Sequence, residues 1–366
     1  MSRAQQHLFL LVGAGAIGAA LLAACGGDEP EPAVAKAPVA VSSSAAPSAS
    51  IVTPPPPAEP TLDERRAKAK AAYAANDLAT AKAEVQAIIG KKADDVFANR
   101  LLGDIETKQG NYPAATDAYF AASKADGGKD EGLALAALDG LRKAKRWDDA
   151  IQLAQLAAKG NDKSMPLWLN LGLAQQHKGD DAAAVETFTK MTTAFPDEPE
   201  LWARLALAEA LAGKKDEAKK SAKMGVERWS EARDPKKKKD VKLGAGPEEI
   251  GMLARAYRRA GDPNDALATL AKYKVGKDET ATELEIEKGF ALRAKKDLRG
   301  AEAQVKKALA AGGDGYAPAH LLQAGIALDQ KKMDDAKKQL AEYKAHVAEG
   351  TAMWWADSRD IEAAIK

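Results

Sequence analysis

Side chains able to do chemistry are sparse in these 366 residues, and their spacing argues against most of the chemistry they could do. The only thiol is Cys25, so no intramolecular disulfide can form and no sulfur-rich metal site is possible. Four histidines, His7, His177, His320 and His346, include no H-x3-H or HExxH pair that would set two imidazoles on one helix face. His177 falls just before a turn and reads as an exposed polar residue. No nucleophile elbow, phosphate loop or G-x-G-x-x-G occurs between a strand and a helix. The glycine-rich GAGAIGAA at 13–20 lies inside an apolar N-terminal run. Asp148-Asp149, Asp180-Asp181 and Asp334-Asp335 could suggest paired carboxylates, but each pair falls where a helix begins, and negative charge there complements the helix dipole. No catalytic residue, metal ligand or cofactor is implied.

The Asp pairs recur because the elements carrying them recur. In Trp168–Pro196, WLNLGLAQQHKGDDAAAVETFTKMTTAFP, apolar and small residues run at spacings of three and four, break at Gly179, and resume at Ala184, Phe188 and Met191. That is the pattern of two short amphipathic helices packed as a hairpin. Adding 34 to Trp168, Gly179 and Ala184 lands on Trp202, Gly213 and Ala218. The pattern W-x2-L-G-x6-G-x4-A-x3-F-x7-P resembles a tetratricopeptide repeat, a family with a period of 34 residues. The small residue of each second helix is placed at Ala81, Ala115, Ala150, Ala184, Ala218, Ala266, Ala301 and Ala336, spaced by 34 or 35 apart from one gap of 48. Twelve residues before each lies another mostly small side chain, and four after each a non-polar one. The resemblance implies an all-α chain, a right-handed superhelix of about eight hairpins over 61–350. Departures are local. Lys68 replaces a large apolar residue in the first hairpin, which reads either as a polar terminal cap or as an end that frays. Lys296 replaces a turn glycine, and Gly325, one residue late, suggests a longer turn before Met333. The wide gap marks a basic insertion at about 230–247, with Lys236–Lys239 in a row. Residues 351–366, TAMWWADSRDIEAAIK, read as a helix that caps the last repeat through Trp354, Ile361 and Ile365.

The N-terminus is organised differently. Arg3 precedes an apolar or small run from Leu8 to Ala24, the layout of a signal peptide. Leu22-Ala23-Ala24-Cys25 resembles the bacterial lipobox, which implies removal of residues 1–24 and acylation (palmitate among the acids) of Cys25. An uncleaved anchor or an ordinary signal peptide are the alternatives. Each buried acyl methylene contributes about 0.8 kcal/mol to membrane attachment. Gly26 follows rather than Asp, which by resemblance favours the outer membrane facing the periplasm. From Cys25 to Pro60 the chain is a Pro, Ala and Ser-rich tether. At about 3 Å per residue it could span on the order of 100 Å.

Lys and Arg total 54 against 53 acidic residues, so nothing in the charge balance points to nucleic acid. By the family resemblance, the first helix of each hairpin lines a concave groove. The residues mapped there are apolar in the middle, with Leu169, Leu173 and Leu207, and basic at the flanks, with Arg100, Arg142, Arg255 and Arg258. Exposed leucines bordered by guanidinium groups suit an amphipathic peptide or helical segment of a protein partner with acidic ends. The expected function is a lipid-anchored envelope scaffold that helps assemble an envelope machine. The alternative is an accessory or carbohydrate-handling enzyme whose site the sequence does not reveal. No small-molecule substrate is evident.

Overall fold

The computed structural model describes residues 59–234, 246–273, 282–347 and 354–366, and each regular element among them is an α-helix. The proposed signal segment, Cys25, nearly all of the tether and Lys236–Lys239 lie outside these residues. The first hairpins are α1 (Leu62–Ala74) with α2 (Leu78–Lys91), α3 (Val96–Lys108) with α4 (Tyr112–Ala125), α5 (Glu131–Lys143) with α6 (Trp147–Gly160), and α7 (Met165–Lys178) with α8 (Asp181–Ala194). The later ones are α9 (Pro199–Leu211) with α10 (Lys215–Arg233), α11 (Pro247–Arg259) with α12 (Pro263–Leu270), α13 (Thr282–Ala294) with α14 (Leu298–Gly312), and α15 (Ala317–Asp329) with α16 (Met333–His346). A final helix, α17 (Trp355–Ile365), packs against α15 and α16.

One turn makes all eight hairpins. Five residues before each core alanine the backbone enters the left-handed region, at Asn76, Gly110, Lys145, Gly179, Gly213, Gly261, Lys296 and Lys331. The next N–H then reaches back to a carbonyl five residues earlier, as from Asp180 to Gln175 at 2.9 Å and from Lys332 to Ala327 at 2.9 Å. This bond satisfies a carbonyl that the helix end would otherwise leave bare. The last hairpin therefore keeps the common turn, and the longer one suggested by Gly325 does not form. The Asp residues after the turns do what their position implies. Asp77, Asp180, Asp262 and Asp297 each accept a backbone N–H from the first turn of the second helix.

The small-and-large pairing explains how each hairpin closes. A Cβ at Gly103 would lie 2.5 Å from the Tyr119 ring, and one at Gly172 would lie 2.5 Å from that of Phe188. Glycine lets the ring of the second helix lie flat on the first, while Ala81, Ala184 and Ala218 are wholly buried between neighbours. In the hairpin of Ala301 the large residue is only Val305, and a Cβ at Gly289 would instead meet Leu322 of α15. Hairpins stack through successive first helices, such as α9 on α11 and α11 on α13. Trp168 and Trp202 repeat one contact, each indole N–H donating to the carbonyl six residues upstream at 2.9 and 2.8 Å. The outer face of the first hairpin is polar, with Lys68 paired to Glu84 at 2.6 Å, as a terminal repeat requires.

Candidate functional site

First helices all face one side of the stack, and α17 reveals how strongly that side curves. Eleven residues of helix span about 16 Å at 1.5 Å per residue. Yet this short element, with the Trp354 before it, touches His177 on α7, Arg258 and Arg259 on α11, Glu287 on α13, and α15. Only a concave surface brings the first helices of four hairpins within such a reach.

The curvature divides the groove into two parts. Over α3, α5 and α7 it is open. Leu135, Leu169 and Leu173 are half-buried, the last two one helical turn apart. Arg100 keeps 57% of its side chain exposed while donating to Asp130 at 2.9 Å. Arg142 is half-buried and donates to Asp139 at 2.8 Å, one turn earlier on α5. Burial works against ionised Asp139, but Lys143 and Arg142 hold its carboxyl below the usual range. Asp104 is engaged too, accepting from the Tyr119 hydroxyl at 2.8 Å. Burial, ahead of any charge, pushes that phenol up to about 12.

Over α9, α11 and α13 the same positions are closed, against expectation. Leu207 is buried in one cluster with Ile250, Met252 and Leu253, because the first helix of the next hairpin covers it. Arg255 is no rim charge. It is 2% exposed and donates from Nε to Glu287 at 2.7 Å. Arg258 is also buried, with Asp357 of α17 at 2.9 Å and Glu287 at 3.5 Å. The sequence reading saw a basic flank because a single repeat does not reveal its acid, which comes from the next hairpin or from the chain's end.

Asp357 is the residue that reading missed. It accepts from Arg258 at 2.9 and 3.0 Å and from Arg259 at 2.9 Å. Burial alone would raise its carboxyl, but Arg258, Arg259 and Arg255 hold it well below the carboxylate range. The buried Arg258 guanidinium is in turn held strongly in its charged form by Asp357 and Glu287. Trp354 donates its indole N–H to Glu287, and its ring lies 5.1 Å from the Arg255 guanidinium. At the other end of the span His177 is half-buried rather than exposed. It stacks on Trp147 at 4.6 Å and meets Trp355 at 5.3 Å. Burial, then the charges of Arg142 and Arg204, lower its imidazole to about 4. The signal available in the sequence was the pairing of acidic residues after Trp354-Trp355 with Arg258-Arg259.

Among the described residues no group of three His, Cys, Asp or Glu side chains is set to hold a metal ion, and no helix is long and apolar enough to cross a membrane. The family model for the tetratricopeptide repeat matches residues 66–131 and 135–199. Over these residues the chain carries tetratricopeptide repeats. The hairpins beyond residue 199 continue the repeat by their turns and core alanines. No curated protein matches the chain. Among solved structures, a tetratricopeptide repeat protein from Parabacteroides merdae is similar at 14% identity, over 83% of this chain and 98% of its own, with a TM-score of 0.45. YrrB, described as a TPR protein with an unusual peptide-binding site, is similar at 15% identity over 58% of this chain and 97% of its own, TM-score 0.39. The pilF protein of Pseudomonas aeruginosa is similar at 14% identity over 58% and 89%, TM-score 0.35. A tetratricopeptide array suits a scaffold for protein–protein interaction, since its repeats expose a long curved surface rather than an enclosed cavity.

Proposed function

We propose that this protein is a lipid-anchored scaffold of a bacterial cell envelope, holding a segment of another envelope protein in the open part of its groove. The observation that carries the reading is the half-buried stripe of Leu135, Leu169 and Leu173, bordered by Arg100 and Arg142. An apolar strip with paired guanidinium groups at its edge favours an amphipathic peptide whose acidic end competes for those arginines. Both arginines already have an internal acid. They therefore act on selectivity and encounter rate, and the leucines supply the affinity. The lipobox-like Leu22–Cys25 supports attachment to a membrane, on the side facing the periplasm, where the scaffold would assist assembly of an envelope machine.

Two measurements test this. Wild type bearing a C-terminal tag, purified from detergent-solubilised envelope, is expected to retain a stoichiometric protein partner. Leu173→Glu should lose it, at a cost of roughly 2 kcal/mol or more, with helix content unchanged. Equal retention by a folded variant would remove the groove as the site. Separately, Cys25→Ala is expected to abolish incorporation of labelled fatty acid, and continued labelling would refute the anchor.

A further inference from the structure

The closed part of the groove is closed by the chain itself, and α17 is held there by a set of ion pairs in addition to the apolar packing that joins the hairpins. Between hairpins the contacts are close-packed alanines, leucines and rings. Trp354 and Ile361 join the apolar cluster of Ile286 and Phe290 on α13, and to this α17 adds ion pairs and one indole hydrogen bond: Asp357 to Arg258 and Arg259, Asp360 to Arg259, Trp354 to Glu287. Its burial is concentrated in Trp354, Ala356, Asp357 and Ile361, while Arg359, Asp360, Ala363 and Ala364 stay exposed. A cavity of about 350 Å³ remains between it and the hairpin walls, with Arg258, Arg259, Arg293 and Ile361 among its lining. An element built only to cap an array would fill that space. Here an open, charge-lined space remains beside the apolar contacts of Trp354 and Ile361, so the fit is specific in charge, as for a ligand in its site.

Without α17, Arg258 would keep Glu287 at 3.5 Å but lose Asp357, and Arg259 would lose both Asp357 and Asp360. Any segment that covers these guanidinium groups again must bring carboxylates in place of Asp357 and Asp360, so the seat selects an acidic occupant. Trp354, Asp357 and Asp360 recur every three residues, so one side of a helix supplies the indole and both carboxylates. We propose that Arg258, Arg259 and Glu287 form a receptor site for an acidic, tryptophan-bearing helical segment of a protein partner, occupied in cis by α17 as a displaceable competitor. The proposal rests on the scaffold reading above and names the partner chemistry that it leaves open. A partner that presents such a helix frees the C-terminal half of the groove, and the accessible surface then extends from the stripe on α5 and α7 onto α11 and α13.

The test uses the full chain and a fluorescent peptide of residues 354–366, WWADSRDIEAAIK. By fluorescence anisotropy the peptide is expected to bind an Asp357→Asn, Asp360→Asn double variant at least tenfold more tightly than wild type. Raised salt should weaken that binding, and a peptide carrying the same two substitutions should not bind. A folded double variant that binds the peptide no better than wild type overturns the proposal. Because that variant leaves Arg258 short of a partner and could lose its fold, hydrogen exchange on wild type gives an independent answer. Amides of 358–364 should exchange faster than those of α15, through opening of α17 alone, whereas equal protection would make α17 an integral part of the array and overturn the proposal. A double variant that dimerises by light scattering, and dissociates when peptide is added, would give the seat to a second copy and overturn its assignment to a separate partner. If the envelope partner lost by Leu173→Glu is still captured while the peptide fails to bind, the scaffold reading stands and this one falls.

Discussion

At the scale of single residues, His177 is the titratable group whose environment has the clearest consequence. Its folded value of about 4 lies below the 6.5 of an ordinary imidazole. The unfolded chain therefore takes up the proton first as the medium is acidified. The contribution of His177 to stability is complete above pH 6.5, drains as pH falls toward 4, and is constant below that. The loss amounts to at most about 3 kcal/mol. Glu249, which burial pushes up to about 7, titrates with the opposite sign in an overlapping window. The readable quantity is thus a difference. Urea midpoints of wild type should fall relative to those of His177→Gln between pH 7 and pH 4, and parallel curves would show that the imidazole is not sequestered. His177 also shows why its residue-scale reading failed. A polar side chain just before a turn is ordinarily wet, and the two tryptophans that enclose it lie 30 positions before it and 178 after it in sequence.

At the scale of elements, the hairpin is the unit that sequence spells out. Its determinants are local: a left-handed turn residue, an alanine five positions on, and a non-polar residue four beyond that. Each can be read within about 34 residues. Lys145, Lys296 and Lys331 hold the turn at φ 56, 65 and 61, where an L side chain crowds the next carbonyl. The hydrogen bond to the preceding helix fixes the geometry, and the residue type only sets its cost. Lys296→Gly is accordingly expected to raise stability by about 1 kcal/mol, seen as a higher denaturation midpoint with unchanged slope. A decrease would mean that the Lys296 ammonium, 3.6 Å from Asp329, outweighs the backbone term. The groove was legible only where it depends on one hairpin. Leu169 and Leu173 lie a turn apart on α7 and stay accessible, whereas Leu207 depends on how closely α11 approaches α9. That distance is set by superhelical pitch, which no single repeat encodes.

At the scale of the whole molecule, α17 couples parts of the array that a linear stack of hairpins keeps separate. In a simple solenoid each unit touches its neighbours alone, so stability is a sum of local terms. Arg258 and Asp357, 99 positions apart, and the stack of His177 on Trp355 break that rule. Trp355→Ala leaves the ion pairs at Asp357 in place and removes the aromatic contact to α7 together with the stacking of Arg359 on the same ring. It should cost about 1 kcal/mol and increase the radius of gyration measured by small-angle scattering. An unchanged radius would show that the ion pairs alone set the curvature. A superhelix of hairpins is mechanically a spring, compliant along its axis because small rotations between units accumulate. A rung fixed from the last coil to the fourth short-circuits four coils of that spring, so force applied at the C-terminal end reaches α7 before the coils between can stretch. Pulled from both ends, the chain should first yield in a single step at this rung, and only then extend unit by unit.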